Sequence, residues 1–163
     1  YVADSFVVVA KLLENVAESG AKLLNSTYVD DIIYKNDRVS GVVVNWFPIT
    51  QMPNFITCMD PIALESKIVI DATGHEADIA KKVADVIGIE KEKMGPKAMN
   101  VTEAEKLVVE NTKQIHPGLV ICGMASASFF NLPRMGPIFG GMLLSGKKAA
   151  EITLELIEKK VLV

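Results

Sequence analysis

Apolar residues at positions 6, 9, 10, 13, 16 and 17 recur at the spacing of one helix face. The spacing predicts a helix over 5–19, with Ser5 as its N-cap and Gly20 as its stop. Residues 22–25 read as a short strand after it. Tyr28 to Lys35 alternates imperfectly, and Val39 to Trp46 is rich in β-branched residues. Asn36-Asp37-Arg38 between them has the composition of a hairpin turn, so the two runs predict an antiparallel hairpin. Pro48 and Pro53 mark residues 48–56 as a loop with fragments of strand, leading into a segment around Cys58. Ser66 to Ala72 is a short, largely apolar strand closed by Thr73-Gly74, of the kind covered on both faces. Ile79, Val83, Val86 and Ile87 give helical spacing from Glu76, and Gly88 is the expected stop. Residues 89–100 read as a connecting loop. Thr102-Glu-Ala-Glu105 matches a capping box for a helix to about Gln114, broken by His116-Pro117-Gly118. Leu119 to Gly123 is a second buried-type strand, Met124 to Pro137 a loop, and Gly140 to Lys159 a long helix. Strands alternating with helices imply an α/β sheet with helices packed on it and an antiparallel insert.

Composition narrows the function. The chain has 163 residues, enough for one domain with a core, and 50% are hydrophobic. A net charge of −3, with no basic stripe and no aromatic platform, argues against a nucleic-acid partner. No apolar stretch reaches the length of a membrane span. The two cysteines, Cys58 and Cys122, make no disulfide framework and suit a reducing, cytoplasmic setting. Tyr1 is not a start residue and no basic-headed signal precedes the first helix, so the chain reads as a piece of a longer polypeptide. A G-x-G-x-x-G turn is absent; one in a parent protein would lie before Tyr1.

Candidate chemistry gathers around Cys58-Met59-Asp60-Pro61 and Asp71-Ala-Thr-Gly-His75. Cys58 and Asp60 are two apart, which puts them on one face of an extended segment, and Pro61 biases Asp60 toward that conformation. His75 follows a glycine at the end of an apolar strand. A thiol, a carboxylate and an imidazole could therefore meet at a metal. Bland readings stand beside this one: Cys58 as a small buried hydrophobe, Asp60 as a turn cap, His75 as a helix cap or a backbone partner. Cys122, inside an apolar strand, fits the buried reading better. His116 reads as a surface residue near a helix C-terminus. Arg134, in a proline-flanked loop, could clamp a carboxylate through two parallel hydrogen bonds or form a surface ion pair. Gly136, Gly140 and Gly141 would admit a ligand or allow close packing of elements. Val29 is core by default. Ser145-Gly-Lys147 lacks the spacing of a phosphate loop and is discounted.

Cys58-Met-Asp-Pro61, Ile70-Asp-Ala-Thr-Gly-His75 and Leu132-Pro-Arg-Met-Gly-Pro-Ile-Phe-Gly-Gly-Met142 together resemble the thiamine thiazole synthases, along nearly the whole chain. The resemblance implies a dinucleotide-binding, Rossmann-like fold of the flavoprotein type, with its Gly-rich N-terminal unit missing here. It implies an enzyme that makes the adenylated thiazole precursor of thiamine from NAD and glycine. Fe(II) would be held by Asp60 and His75. Cys58 matches the residue that gives up its sulfur in some members, while free sulfide serves others. Arg134, with Met135 and Gly136, matches the site of the glycine carboxylate. Val29, Cys58, Met59, Asp60 and Met124 match positions at the dinucleotide. A homo-oligomer, commonly an octamer, with sites shared between protomers is implied as well. The alternative from another class is a non-catalytic nucleotide-binding or assembly module of the same fold; a flavin oxidoreductase is a weaker third.

Overall fold

The protein is described here by a computed structural model covering residues 2–53, 60–90 and 94–159. Cys58 and Met59 lie outside the described residues. Two compact units divide the chain: Tyr1–Tyr28 with Trp46–Thr57, and Val29–Asn45 with Cys58–Val163.

The first unit carries helix α1, Ser5–Glu18. Its N-cap is Asp4 rather than Ser5: one carboxylate oxygen accepts from the Phe6 amide at 2.9 Å and the Val7 amide at 3.3 Å. A carboxylate there satisfies orphan amides and also suits the positive end of the helix dipole, which a serine hydroxyl does less well. The expected helical period is present, yet no residue of α1 is buried and Phe6 is 85% exposed. The strand expected over 22–25 does not form; that stretch is irregular and turns at Asn25-Ser26. The turn is held by the Phe47 amide on the Ser26 carbonyl at 2.7 Å. Phe47–Gln51 is a single 3₁₀ segment with Pro48 in its first turn, where a missing N–H costs nothing.

The expected hairpin is formed by β1, Thr27–Lys35, and β2, Arg38–Trp46. Asn36 and Asp37 at φ 51° and 55° supply the two left-handed residues that such a turn requires. An unexpected third strand, β3 at Ile62–Glu65, adds antiparallel to β2, pairing Gly41 with Glu65 and Val44 with Ile62. All four of its residues are exposed, so no inward face imposed an alternating pattern on the sequence.

The central sheet holds β4, Val69–Asp71, and two later strands: β6, Lys113–His116, and β7, Leu119–Ile121. Their order is β4-β7-β6, with β4 parallel to β7 and β6 antiparallel to it. A separate parallel pair joins β5, Lys97–Met99, to β8, Pro133–Arg134. The helices are α2, Asp78–Ile87; α3, Val101–Glu110; α4, Gly123–Phe129; and α5, Gly140–Glu158. Side chains of β7 alternate between two layers. Leu119 packs with Ile79 and Val83 of α2, and Ile121 with Ala80; Val120 packs with Ala149 of α5. Coverage on both faces explains why this strand is apolar throughout.

Three further expectations are corrected. α3 starts after Asn100, not at a Thr102 box; the Asn100 side-chain amide instead donates to Glu103 at 2.9 Å. That helix ends at Glu110, and residues expected to finish it form β6. Residues 124–137 are not one loop: Met124 to Ser128 are all buried in α4. A helix surrounded on every side has no polar face, so its sequence shows no 3.6-residue period.

The β6–β7 turn passes against β2. Gly118 has φ +80°, and a Cβ there would lie 1.9 Å from the Val39 carbonyl oxygen. Gly20 has φ +78° but open space around it. Gly118→Ala is therefore expected to lose at least about 2 kcal/mol, strain and clash together, whereas Gly20→Ala loses about 1 kcal/mol from strain alone. Urea denaturation of both variants checks the difference.

Candidate functional site

Because β4 and β7 run parallel, with Asp71 opposite Ile121, their carboxyl ends lie side by side. The Cys122 amide donates to the Asp71 carbonyl at 3.0 Å, carrying the ladder one residue past both strands. Ligands of α/β sheets bind outside such carboxyl ends. Here the chain leaves β4 through Ala72-Thr73-Gly74-His75 and leaves β7 through Cys122-Gly123-Met124. Gly74 and Gly123 sit at φ +75° and +60°, and a Cβ at either would meet nothing within 4 Å.

Asp71 organises the first of these exits. Its carboxylate is buried completely, and burying a charge requires full pairing. One oxygen accepts from the Thr73 amide at 3.0 Å and the Thr73 hydroxyl at 2.7 Å. The other accepts from the Ala80 amide, in the first turn of α2, at 2.8 Å. The Thr73 hydroxyl in turn accepts from the Asp78 amide at 2.9 Å. From the far side, buried Ser128 of α4 donates to the His75 carbonyl at 2.7 Å.

The second exit rests on hydroxyls. Ser145 of α5 accepts from the Gly123 amide at 2.7 Å and pairs with the Thr112 hydroxyl at 2.5 Å; Thr112 is also bonded to the Val108 carbonyl. Ser145 thus ties α5 to the start of α4, and the phosphate-loop reading of Ser145-Gly-Lys147 stays discounted. The sequence marks Asp71 and Thr73 only as part of the stretch leading to His75, and Ser145 only within the discounted phosphate loop; Ser128 is not marked at all. Only Asp71 had a signal, as an acid ending an apolar strand.

The two histidines are used differently. His116 is half-buried on β6, its ring stacked on Tyr34 and its Nε2 3.0 Å from the Tyr34 hydroxyl. It is a packing residue, not a surface one near a helix end. His75 is exposed, and among the described residues nothing bonds to its ring. The two arginines divide likewise. Arg38 donates to the Lys67 carbonyl. Arg134 is exposed, its backbone carbonyl takes the Asn100 amide at 3.2 Å, and no described side chain pairs with its guanidinium.

Of the remaining candidates, Met124 and Met135 are buried in one cluster with Ala104, Val108 and Ala127, so their side chains are core. Val29 is half-buried against the cluster of Val39 and Leu119. A Cβ on Gly136 would lie 2.9 Å from the Met99 sulfur. Gly140 and Gly141 admit Glu105, whose carboxylate oxygen is 2.7 Å from a Cβ built at Gly140; both serve the packing of α5 on α3. Asp60 is exposed and shares no hydrogen bond with His75. Among the described residues no three His, Cys, Asp or Glu side chains converge as a metal cage. The donor chemistry available, one open imidazole and one open carboxylate, fits a metal of mixed N/O preference with vacant positions.

Fold and site together define a mixed-sheet α/β protein with its candidate chemistry at the carboxyl ends of two parallel strands. The chain belongs to the Thi4 family, whose model matches residues 1–139. It is 49% identical over 155 residues to the thiamine thiazole synthase of Aeropyrum pernix, covering 95% of this chain and 57% of that protein. To the thiamine thiazole synthase of Pyrococcus horikoshii it is 43% identical over 158 residues, covering 97% of this chain and 61% of that one. The crystal structure of Thermovibrio ammonificans THI4 superposes with a TM-score of 0.85 at 33% identity, over 95% of this chain and 61% of that chain. The chain thus spans about three-fifths of the length of the relatives it matches. Among the described residues no helix is long and apolar enough to cross a membrane.

Cys122 offers a test of the strand ends. Burial pushes its thiol above the ordinary value of 9.0, and the neighbouring Asp71 charge adds to this. The unfolded chain releases that proton first, so the folded state binds more protons at alkaline pH. Stability is expected to be intact below the free-thiol value and to fall above it by up to about 1.4 kcal/mol per pH unit. Denaturation curves from pH 7 to pH 10 check it; Cys122→Ala should flatten the decline.

Proposed function

We propose that the chain is the C-terminal portion of an iron-dependent thiazole synthase that makes the adenylated thiazole carboxylate precursor of thiamine from NAD and glycine. Family membership supports the reaction class. The observation that carries the site is the contrast between the histidines: one ring is engaged by Tyr34, the other is open beside a tightly held backbone. His75 and Asp60 would hold Fe(II), the carboxylate coming from the same chain or a neighbouring copy in a homo-oligomer, an octamer by family likeness. Bound iron would supply Lewis acidity and open positions for substrate. Arg134 would grip the glycine carboxylate through paired N–H donors, with Met135 and Gly136 setting the backbone around it. Val29, Cys58, Met59 and Asp60 would lie along the dinucleotide, with Met124, whose side chain is core, meeting it through its main chain. Sulfur would come from Cys58, leaving dehydroalanine, or from free sulfide. A cytoplasmic setting suits a chain with only two cysteines.

His75→Ala should lower iron bound per chain without loss of cooperative melting, and Arg134→Gln should raise the KM for glycine about tenfold or more. Iron retained in full by His75→Ala would overturn the ligand assignment; binding of an ADP-like ligand with no iron dependence and no product would favour the assembly module.

Cys58→Ala should turn over only when sulfide is supplied. Mass spectrometry after reaction should find Cys58 lighter by the mass of hydrogen sulfide. An intact thiol with full product and no added sulfide would remove the donor role.

A further inference from the structure

We infer that Asp71, Thr73 and Ser128 are positioning residues that aim the His75 imidazole at its metal, a step that rests on the ligand reading above. The loop does not hold its shape unaided. Gly74–Glu76 is a single 3₁₀ turn, and it closes on Ala77, which is buried and left-handed at φ 47°. An alanine in that region costs about 1–2 kcal/mol, which the surroundings must offset. Two polar clamps do so. On one side the Asp71 carboxylate takes the amide and hydroxyl of Thr73, and that hydroxyl takes the Asp78 amide, so the chain is gripped just before and just after His75. On the other side Ser128 reaches the carbonyl of His75 itself. Ser128 is buried in α4, so this bond ties the loop to the helix. Every clamp acts on backbone or on a neighbour; none touches the ring. His75 is therefore left with its two side-chain torsions as soft freedoms, at a fixed origin. Ligands held this way bind metal more tightly because little ordering remains to be done on binding.

The test uses Co(II) as a spectroscopic stand-in for Fe(II), on the full chain, with affinity read by titration and geometry by the visible d–d band. Thr73→Val removes both hydroxyl bonds at constant shape, and Ser128→Ala removes the bond to the His75 carbonyl. Each is expected to weaken Co(II) by about tenfold to a hundredfold and to alter the band while melting stays cooperative. Thr73→Ser, which keeps the hydroxyl, should restore both. If His75→Ala loses cobalt but Thr73→Val and Ser128→Ala bind with unchanged affinity and band, the positioning role falls and the ligand reading stands. Cobalt binding that is absent, or indifferent to His75→Ala, overturns both. Loss of cooperative folding in both clamp variants would mark these residues as structural only and overturn the inference alone.

Discussion

The parallel pairing of Val69–Asp71 with Leu119–Ile121 is the constraint on which the rest of this unit depends. β7 is buried on both faces, whereas β4, expected to be covered on both, leaves Ile70 exposed on one; the pairing ends on Asp71, whose charge must be satisfied without water. Three donors answer: the Thr73 amide, the Thr73 hydroxyl and the Ala80 amide. One carboxylate thereby stops a strand, shapes a loop and receives the N-terminal turn of α2, where its charge also meets the helix dipole. The loop that carries His75 is a consequence of this one group finding its partners.

Much of the framework was readable because it follows local rules. The Asn36-Asp37 turn demands left-handed residues and the sequence supplies them. α2 and α5 each keep one covered face, so their periods survive. Two of the elements that escaped lie at the extremes of burial. α4 is covered all round and β3 on neither face, and each lacks the half-and-half exposure that makes a pattern. β5 and β8 are three and two residues long and exist only as partners of each other, a long-range fact with no local trace. The N-cap moved from Ser5 to Asp4 because two adjacent residues could both cap, and the charged one does it better.

The site was legible at the level of residue types and illegible at the level of use. His75 and His116 look alike in sequence, each next to a helix breaker. Only Tyr34, 82 residues before His116, separates them. The glycines at and before the start of α5 were open to two readings, ligand approach or close packing, and Glu105 decides for packing at Gly140 and Gly141. Cys58 and Met59 lie outside the described residues, so the sulfur chemistry is left to the experiments above.

Arg134 and His75 are presented in the same way. Arg134 is exposed, but Met135 beside it is fully buried and the Arg134 carbonyl is held by the Asn100 amide. His75 is exposed, but Ala77 close by is fully buried and the His75 carbonyl is held by Ser128. In each case an anchor sits within two residues of the presented group, and the main-chain oxygen of that group is already committed. A side chain needed only for solubility has no use for such fixing, since a charged surface residue gains little from a single defined position. A fixed main chain beneath an exposed side chain supplies the rigid base that the ligand roles proposed above would need, and leaves the side chain itself to be ordered on binding.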